Sequence, residues 1–215
     1  MRFLIAQSTY SDIQIGLFDS SLLVDQKTIS KFNVCKELIP TIQTLLKNNK
    51  INFGDLQFIG INQGPAPFNR LRALISTING LAYATKIPLV GINGIKALYR
   101  SSRSPQTVVL LNAFNNEVYY AYKKQNELAI GAAHINDVLK SIVLDLPHGA
   151  ITFLGNVTEQ FKDQIIMAFG NRTHIDSSST SHELALEVLA QICLNKFTQG
   201  ELLPQLQPLY LKRAV

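Results

Sequence analysis

Side chains that commonly carry out chemistry are sparse in this sequence. No two of its four histidines stand four residues apart, so a helical His-x-x-x-His metal pair is absent, and acidic residues do not cluster with them. The sequence has no Gly-x-Ser-x-Gly nucleophile elbow and no Gly-Lys-Ser/Thr phosphate loop, and neither cysteine has a nearby histidine. We therefore predict no metal site and no catalytic residue.

Two further features have structural interpretations. Cys35 and Cys193 both have apolar sequence neighbours, so we interpret them as small core residues. The run 176–179, an aspartate followed by three serines, resembles an active-site loop. A polar linker that ends at the N-cap of a helix from His182 is the simpler explanation.

One stretch combines a strand, a Gly/Pro turn and a helix. The turn contains Gly64, Pro65 and Ala66, and the helix carries Arg70 in its first turn. Such a turn aims backbone N–H groups and the helix dipole at one point, which would suit an anion or a nucleotide. Each proline removes one N–H donor, however, so a plain strand-to-helix connection is the better interpretation.

The helix predicted from Phe68 to Ala84 has two faces. Large apolar residues recur three and four positions apart on one face, as expected for packing on a core: Leu71, Leu74, Ile75, Ile78 and Ala82. Small residues occupy the opposite face: Ala73, Ser76, Thr77, Gly80 and Ala84. Either the helix is buried on both sides within its own domain, or the small face receives a helix of a second protein.

The elements that position these residues follow from hydrophobic periodicity. The first thirty residues predict three short antiparallel strands, and the next seventy predict helix, strand, helix, strand, helix. A Ser/Arg/Pro-rich stretch at 101–105 interrupts the pattern, and a similar element order follows it. Periodicity in this second half predicts strands at 107–113, 118–122, 151–154 and 173–175 and helices at 136–143, 158–169 and 182–195. We predict an α/β protein with an N-terminal domain at 1–102 and a smaller C-terminal domain at 103–215. Both are expected to be ribonuclease-H-like, as in actin, sugar kinases and chaperone ATPases, each a mixed sheet with flanking helices.

Composition and charge limit the class of protein. With 47% apolar and 16% charged residues, the chain can bury a substantial core, which excludes a disordered protein. No apolar run reaches the roughly 18 residues of a membrane-spanning helix, so we expect a soluble, cytoplasmic protein. The net charge of +5 is scattered along the sequence, which favours a solvated surface over a dedicated nucleic-acid stripe.

The first hairpin bears on nucleotide chemistry. Nucleotide-binding proteins of this architecture carry an Asp and a Gly there, which reach the metal ion and admit the phosphates. This sequence has Gln7 where an acid is expected and no glycine as far as Asp12. A glutamine can form hydrogen bonds but cannot neutralise a metal ion, so we predict that the chain does not transfer phosphoryl groups on its own.

The pattern between residues 55 and 98 resembles the bacterial TsaB (YeaZ) family. The resemblance rests on Asp55-Leu56, Gly64-Pro65, Phe68, Leu71-Arg72, Gly80-Leu81-Ala82, Ile87-Pro88, Gly91 and Ala97-Leu98. Further similarity lies at Glu37-Leu38-Ile39-Pro40, at Glu117-Val118-Tyr119 and in the ending Pro208-Leu209-Tyr210-Leu211-Lys212-Arg213. The resemblance covers essentially the whole chain and is weakest after about residue 125.

This resemblance implies a non-catalytic partner of the catalytic subunit TsaD in tRNA threonylcarbamoyladenosine synthesis. Family members pair with TsaD through helices of the amino-terminal domain, help recruit the ATPase TsaE, and self-associate as homodimers through the same surface when alone. They meet tRNA through the complex, hold no cofactor of their own, and would contact ADP or ATP only at the complex interface. We expect the partner interface here to include Leu38, Ile42, Leu45, Phe68, Arg72, Ala73, Ser76, Thr77, Gly80, Tyr83 and Ala84.

The sequence departs from the family pattern at three places. Gln7 replaces an aspartate, Ala66 and Arg70 fill two flexible positions of the glycine-rich loop, and the segment 112–114 replaces Asp-Ala-Arg. These changes concern nucleotide contact and some of the chemistry with the partner, and they leave the core pattern intact. Two alternatives remain open, a stand-alone ATPase or metallopeptidase-like enzyme of the same fold and a weak tRNA-binding module that uses basic residues such as Arg72 and Arg100.

Overall fold

The computed structural model describes residues 1–176 and 183–212. The chain forms two compact units, one of Met1–Gly94 with Ala185–Leu209 and the other of Ile95–Leu184 with Tyr210–Val215. Each unit is built on one five-stranded mixed sheet. Of the helices in the described ranges, none combines the length and apolar character needed to cross a membrane.

The first unit begins as a three-stranded meander and continues with alternating helices and strands. Its elements are β1 Arg2–Ser8, β2 Asp12–Asp19, β3 Leu22–Ser30, α1 Val34–Asn48, β4 Phe58–Asn62, α2 Phe68–Thr85, β5 Leu89–Ile92 and α6 Leu186–Thr198. The strands lie in the order β3-β2-β1-β4-β5. Strand β1 pairs antiparallel with β2 and parallel with β4, which makes it the centre of the sheet.

Helices cover both faces of this sheet, because successive residues of a strand point to opposite sides. Leu4 and Ala6 of β1 belong to the core that α1 and α2 complete. On the other face, Phe3 stacks on Phe58 at 4.4 Å between ring centroids, and Phe58 stacks on Phe197 of α6 at 4.7 Å. The central strand is therefore apolar on both sides.

The position of α6 differs from the predicted domain division. The sequence assigned all of 103–215 to a second domain and placed its boundary after residue 102, whereas packing groups Ala185–Leu209 with the first unit and begins the second at Ile95. The contact is close, since a Cβ added at Gly60 of β4 would lie 2.4 Å from the Cys193 sulfur. Periodicity shows which helix face is buried but not which sheet receives it.

The second unit repeats the first in its strand order. Its elements are α3 Gly94–Ser101, which spans the boundary, β6 Thr107–Asn112, β7 Glu117–Lys124, β8 Glu127–His134, α4 Ile135–Asp145, β9 Ile151–Leu154, α5 Lys162–Phe169 and β10 Thr173–Ile175. The strand order is β10-β9-β6-β7-β8, which corresponds to the order of the first sheet when it is read from the opposite edge. This confirms the predicted architecture of two ribonuclease-H-like folds.

Several local predictions need correction. Strand β8 was missed, because its Ala- and Gly-rich sequence carries a weak strand signal. The helix predicted from Thr158 begins at Lys162. Cys193 is buried as expected, but Cys35 is exposed, so only one cysteine is a core residue. The serine run after Asp176 and the predicted helix start at His182 lie outside the described residues.

Candidate functional site

Helix α2 presents two faces of different character. The five residues predicted for its core face are buried in the first unit. On the opposite face Ser76, Gly80 and Ala84 are exposed, and Ala73 and Thr77 are half-buried. The alternative that α2 is buried on both sides within its own domain is therefore wrong.

Gly80 lies on the exposed face in the helix interior. A glycine at such a position lowers helix stability by about 0.5–1 kcal/mol relative to alanine. A Cβ built at Gly80 would meet no heavy atom within 4 Å, so the described chain itself does not require a glycine here. Close approach of another molecule to the α2 backbone would require one.

Two cation–aromatic pairs flank this small-residue surface. At the start of α2 the Arg72 guanidinium lies 3.9 Å from the centre of the Phe68 ring, which is 50% exposed. At its end Lys86 Nζ lies 4.4 Å from the centre of the Tyr83 ring, which is 79% exposed. Exposed aromatic and arginine side chains are typical anchors of protein interfaces. Sequence reasoning missed Lys86, although its spacing of three residues from Tyr83 indicates such a pair.

The three residues of α1 that were expected at the partner interface lie elsewhere. Leu38, Ile42 and Leu45 are 1%, 1% and 0% exposed and belong to the core of the first unit. They therefore offer no surface to a partner in this conformation. An apolar stripe in a sequence identifies the buried face of a helix without showing whether its own domain or a partner covers it.

The loop before α2 is bonded to its own surroundings. Gly64 has a φ of +105°, a left-handed conformation that favours glycine. Its N–H donates to Asn62 Oδ1 at 3.0 Å, and its carbonyl accepts from the Gly94 N–H at 2.9 Å. Pro65 and Ala66 are buried. This geometry favours the interpretation as a plain connection.

Arg70 ties the start of α2 to the turn between β1 and β2. Its Nη2 donates to the Tyr10 carbonyl at 2.8 Å. Burial lowers the pKa of the Arg70 guanidinium and Asp12 raises it in opposition, but an arginine stays charged throughout the physiological range. The two ends of this contact are sixty residues apart in the sequence, so no local pattern could have revealed it.

Backbone amides of the turn between β1 and β2 are hydrogen-bonded within the turn itself. Thr9 Oγ1 accepts from the Ser11 N–H at 3.1 Å and from the Asp12 N–H at 2.9 Å. These are backbone donors that a phosphate group would otherwise need. These two amides are therefore already bonded within the turn.

A neutral amide network lies beside the turn. Gln7 is 1% exposed, its Nε2 donates to Gln14 Oε1 at 2.8 Å, and its Oε1 accepts from Asn62 Nδ2 at 3.3 Å. These side chains carry no negative charge with which to balance a metal ion. In addition, no three His, Cys, Asp or Glu side chains of residues 1–176 and 183–212 group in a way that could hold a metal ion.

Comparison with known proteins identifies relatives of this chain. The family model "TsaD: tRNA N6-adenosine threonylcarbamoyltransferase" matches residues 29–198, which is well over half of the chain. The chain is 31% identical over 97 residues to the tRNA threonylcarbamoyladenosine biosynthesis protein TsaB of Buchnera aphidicola from Schizaphis graminum, covering 43% of this chain and 46% of the relative. It is 21% identical over 139 residues to TsaB of Escherichia coli K12, covering 60% and 58%. The chain thus spans about half the length of the curated relatives it matches.

Solved structures extend the similarity to the whole fold. YeaZ from Pseudomonas aeruginosa superposes with a TM-score of 0.70 at 19% identity, covering 98% of this chain and 99% of that one. A proposed N-acetylmannosamine kinase from Listeria monocytogenes superposes with a TM-score of 0.54 at 11% identity, covering 94% and 100%, and so shares the fold. The resemblance found in the sequence is confirmed: the chain belongs to the family of the TsaD model and, with its curated relatives, to TsaB (YeaZ).

Proposed function

We propose that this chain is the non-catalytic scaffold subunit of a complex that synthesises tRNA threonylcarbamoyladenosine. Its relatives in Buchnera and E. coli are named for this biosynthesis. The single observation that carries the proposal is the exposed face of α2, where Gly80 faces open space between two cation–aromatic pairs. This face suits close packing of a helix from a TsaD-like catalytic subunit.

The same face would also allow self-association. Small residues allow two helix backbones to approach, whether the second helix belongs to the catalytic subunit or to another copy of this chain. In the absence of the catalytic subunit, the chain would form a homodimer through α2. Formation of the complex would then replace one copy by the catalytic subunit.

Catalysis would reside in the partner. The buried amide network at Gln7 has no carboxylate for a metal ion, and Arg70 spans the turn next to it. We therefore propose that ADP or ATP is met only at the interface of the complex, and that the chain helps a TsaE-like ATPase to join it. The tRNA would be held by the complex in the cytoplasm rather than by this chain alone.

Light scattering on purified proteins tests this proposal. The chain alone is expected to have the mass of a dimer, and mixing with the TsaD-like protein of the same genome should give a complex with equal numbers of both chains. If the chain and the TsaD-like protein remain separate at tens of micromolar, where even transient complexes are detectable, the proposal is wrong.

A further inference from the structure

The outer edges of the two sheets are protected to different degrees. Natural proteins blunt exposed edge strands with charge, irregularity, short length or a covering segment. Strand β3 carries the ion pair Lys27–Asp25 at 3.6 Å and a register shift against β2. The Leu203 N–H donates to the Leu89 carbonyl and thereby covers β5, and β10 has three residues.

Strand β8 has none of these protections within the described chain. It is eight residues long and pairs with β7 in a continuous register from end to end. Between Glu127 and His134 it contains no charged residue and no proline, and all of these inner residues are half-buried. Among the described residues, no backbone hydrogen bond joins this inner stretch to an element other than β7. Its outer row of N–H and C=O groups is thus available to another strand.

We propose that β8 pairs antiparallel with β8 of a second copy of this chain, about a two-fold axis at Gly131. In an antiparallel pair, two residues that face each other point their backbone N–H and C=O groups either both towards the partner strand or both away from it. A two-fold axis at Gly131 places identical residues opposite each other and so meets this condition. Ile130 then lies opposite Ala132 of the second copy, so no like charges face each other. The two Glu127 carboxylates lie at opposite ends of the pair.

Tyr120 selects the axis at Gly131. A Cβ at Gly131 would lie 2.6 Å from the Tyr120 hydroxyl, so the tyrosine ring of β7 extends across the glycine towards the open edge. In the proposed pair the two Tyr120 rings lie on the same face, above glycines that are about 5 Å apart. Their hydroxyl groups could then bond to each other or to the backbone of the opposite strand. No partner other than a second copy is needed for this complementarity.

This inference is independent of the proposed function, because β8 belongs to the second unit and α2 to the first. The test is light scattering at about 100 µM chain, a concentration at which small, weak interfaces are populated. All variants carry Gly80→Arg, which removes association through α2. At this concentration the parent chain, with both interfaces, should exceed the mass of a dimer. The Gly80→Arg chain is expected to be a dimer, and the added Ile130→Lys substitution should make it a monomer.

Two further variants make the result decisive. Val24→Lys places the same charge on the edge strand β3, where the side chain is 41% exposed, and should leave the dimer intact. Ala132→Lys provides a second disruption of β8 in case Ile130→Lys lowers the helix and sheet signals in circular dichroism. A Gly80→Arg chain that is monomeric at this concentration would overturn the inference. So would a dimer that survives both β8 substitutions.

Discussion

Replacing Gly80 separates the stability of the chain from its association. In Gly80→Ala the new methyl group meets no heavy atom within 4 Å, so no steric cost opposes the gain in helix propensity. We expect the free energy of unfolding to rise by about 0.5–1 kcal/mol. For a chain of this size that corresponds to a melting temperature higher by about 1–4 °C.

The larger substitution Gly80→Leu should behave differently in two assays. The leucine Cβ also lies in open space, and leucine is nearly as good a helix former as alanine, so the melting temperature of the monomer should rise by a similar amount. A helix packed on α2 would collide with the leucine side chain, however, and overpacking of a close interface costs about 1–3 kcal/mol. Isothermal titration against the TsaD-like subunit should therefore show affinity reduced by roughly ten- to a hundredfold.

The two assays refute different steps of this reasoning. A lower melting temperature for Gly80→Ala would mean that the side chain meets atoms that the structure places elsewhere. An unchanged affinity for Gly80→Leu would mean that α2 does not contact the catalytic subunit. The unfolding measurement should use a concentration at which the chain is monomeric, since association adds to apparent stability.

Four further predictions concern the first unit. Gly60→Ala should destabilise it by about 2 kcal/mol in urea unfolding, since the added Cβ would lie 2.4 Å from the Cys193 sulfur. When Gly60→Ala is combined with Cys193→Ala, the loss of stability should be smaller than the sum of the two separate losses. Strictly additive losses would contradict the packing of α6 on β4. Burial raises the pKa of Cys193 from its ordinary 9.0 to about 12, so iodoacetamide at pH 8 should label the exposed Cys35 alone. Because this pKa is raised in the folded state, its contribution to stability is complete at neutral pH and should decline as pH rises from about 9 towards 12. Asn62→Ala leaves the Gly64 N–H without its side-chain acceptor and should lower the free energy of unfolding by about 1–2 kcal/mol. A melting curve identical to that of the parent chain would disprove this prediction.

The sequence predicts best where one physical signal dominates. The bounds of α2 and its buried face follow from a 3.6-residue period, and the structure differs from the prediction by one residue at the C-terminal end. The two-domain architecture follows from element order. Strand β8 escaped notice because Ala and Gly are weak strand formers; its pairing with β7 holds it in the sheet.

Features that depend on tertiary contact could not be read from the sequence. The destination of α6 depends on the fit between Gly60 and Cys193, which lie far apart in the chain. The link from Arg70 to Tyr10 is equally non-local. The burial of α1 and α2 was equally hard to assign from the sequence. An apolar stripe such as Leu38 with Ile42 has the same pattern whether the core of its own domain or a partner protein buries it. The exposure of each residue in the folded structure was needed to limit the candidate interface to α2.

The most direct measurement is a calorimetric titration of the TsaD-like subunit with two matched variants of this chain. Ser76→Arg adds a large charged side chain to the exposed face of α2, and Gln191→Arg adds the same group to an exposed position of α6, on the other face of the first sheet. We predict at least about tenfold weaker binding for Ser76→Arg, as expected for disruption at the centre of an interface, and parental affinity for Gln191→Arg. Parental affinity for both variants would contradict the assignment of α2 as the binding surface.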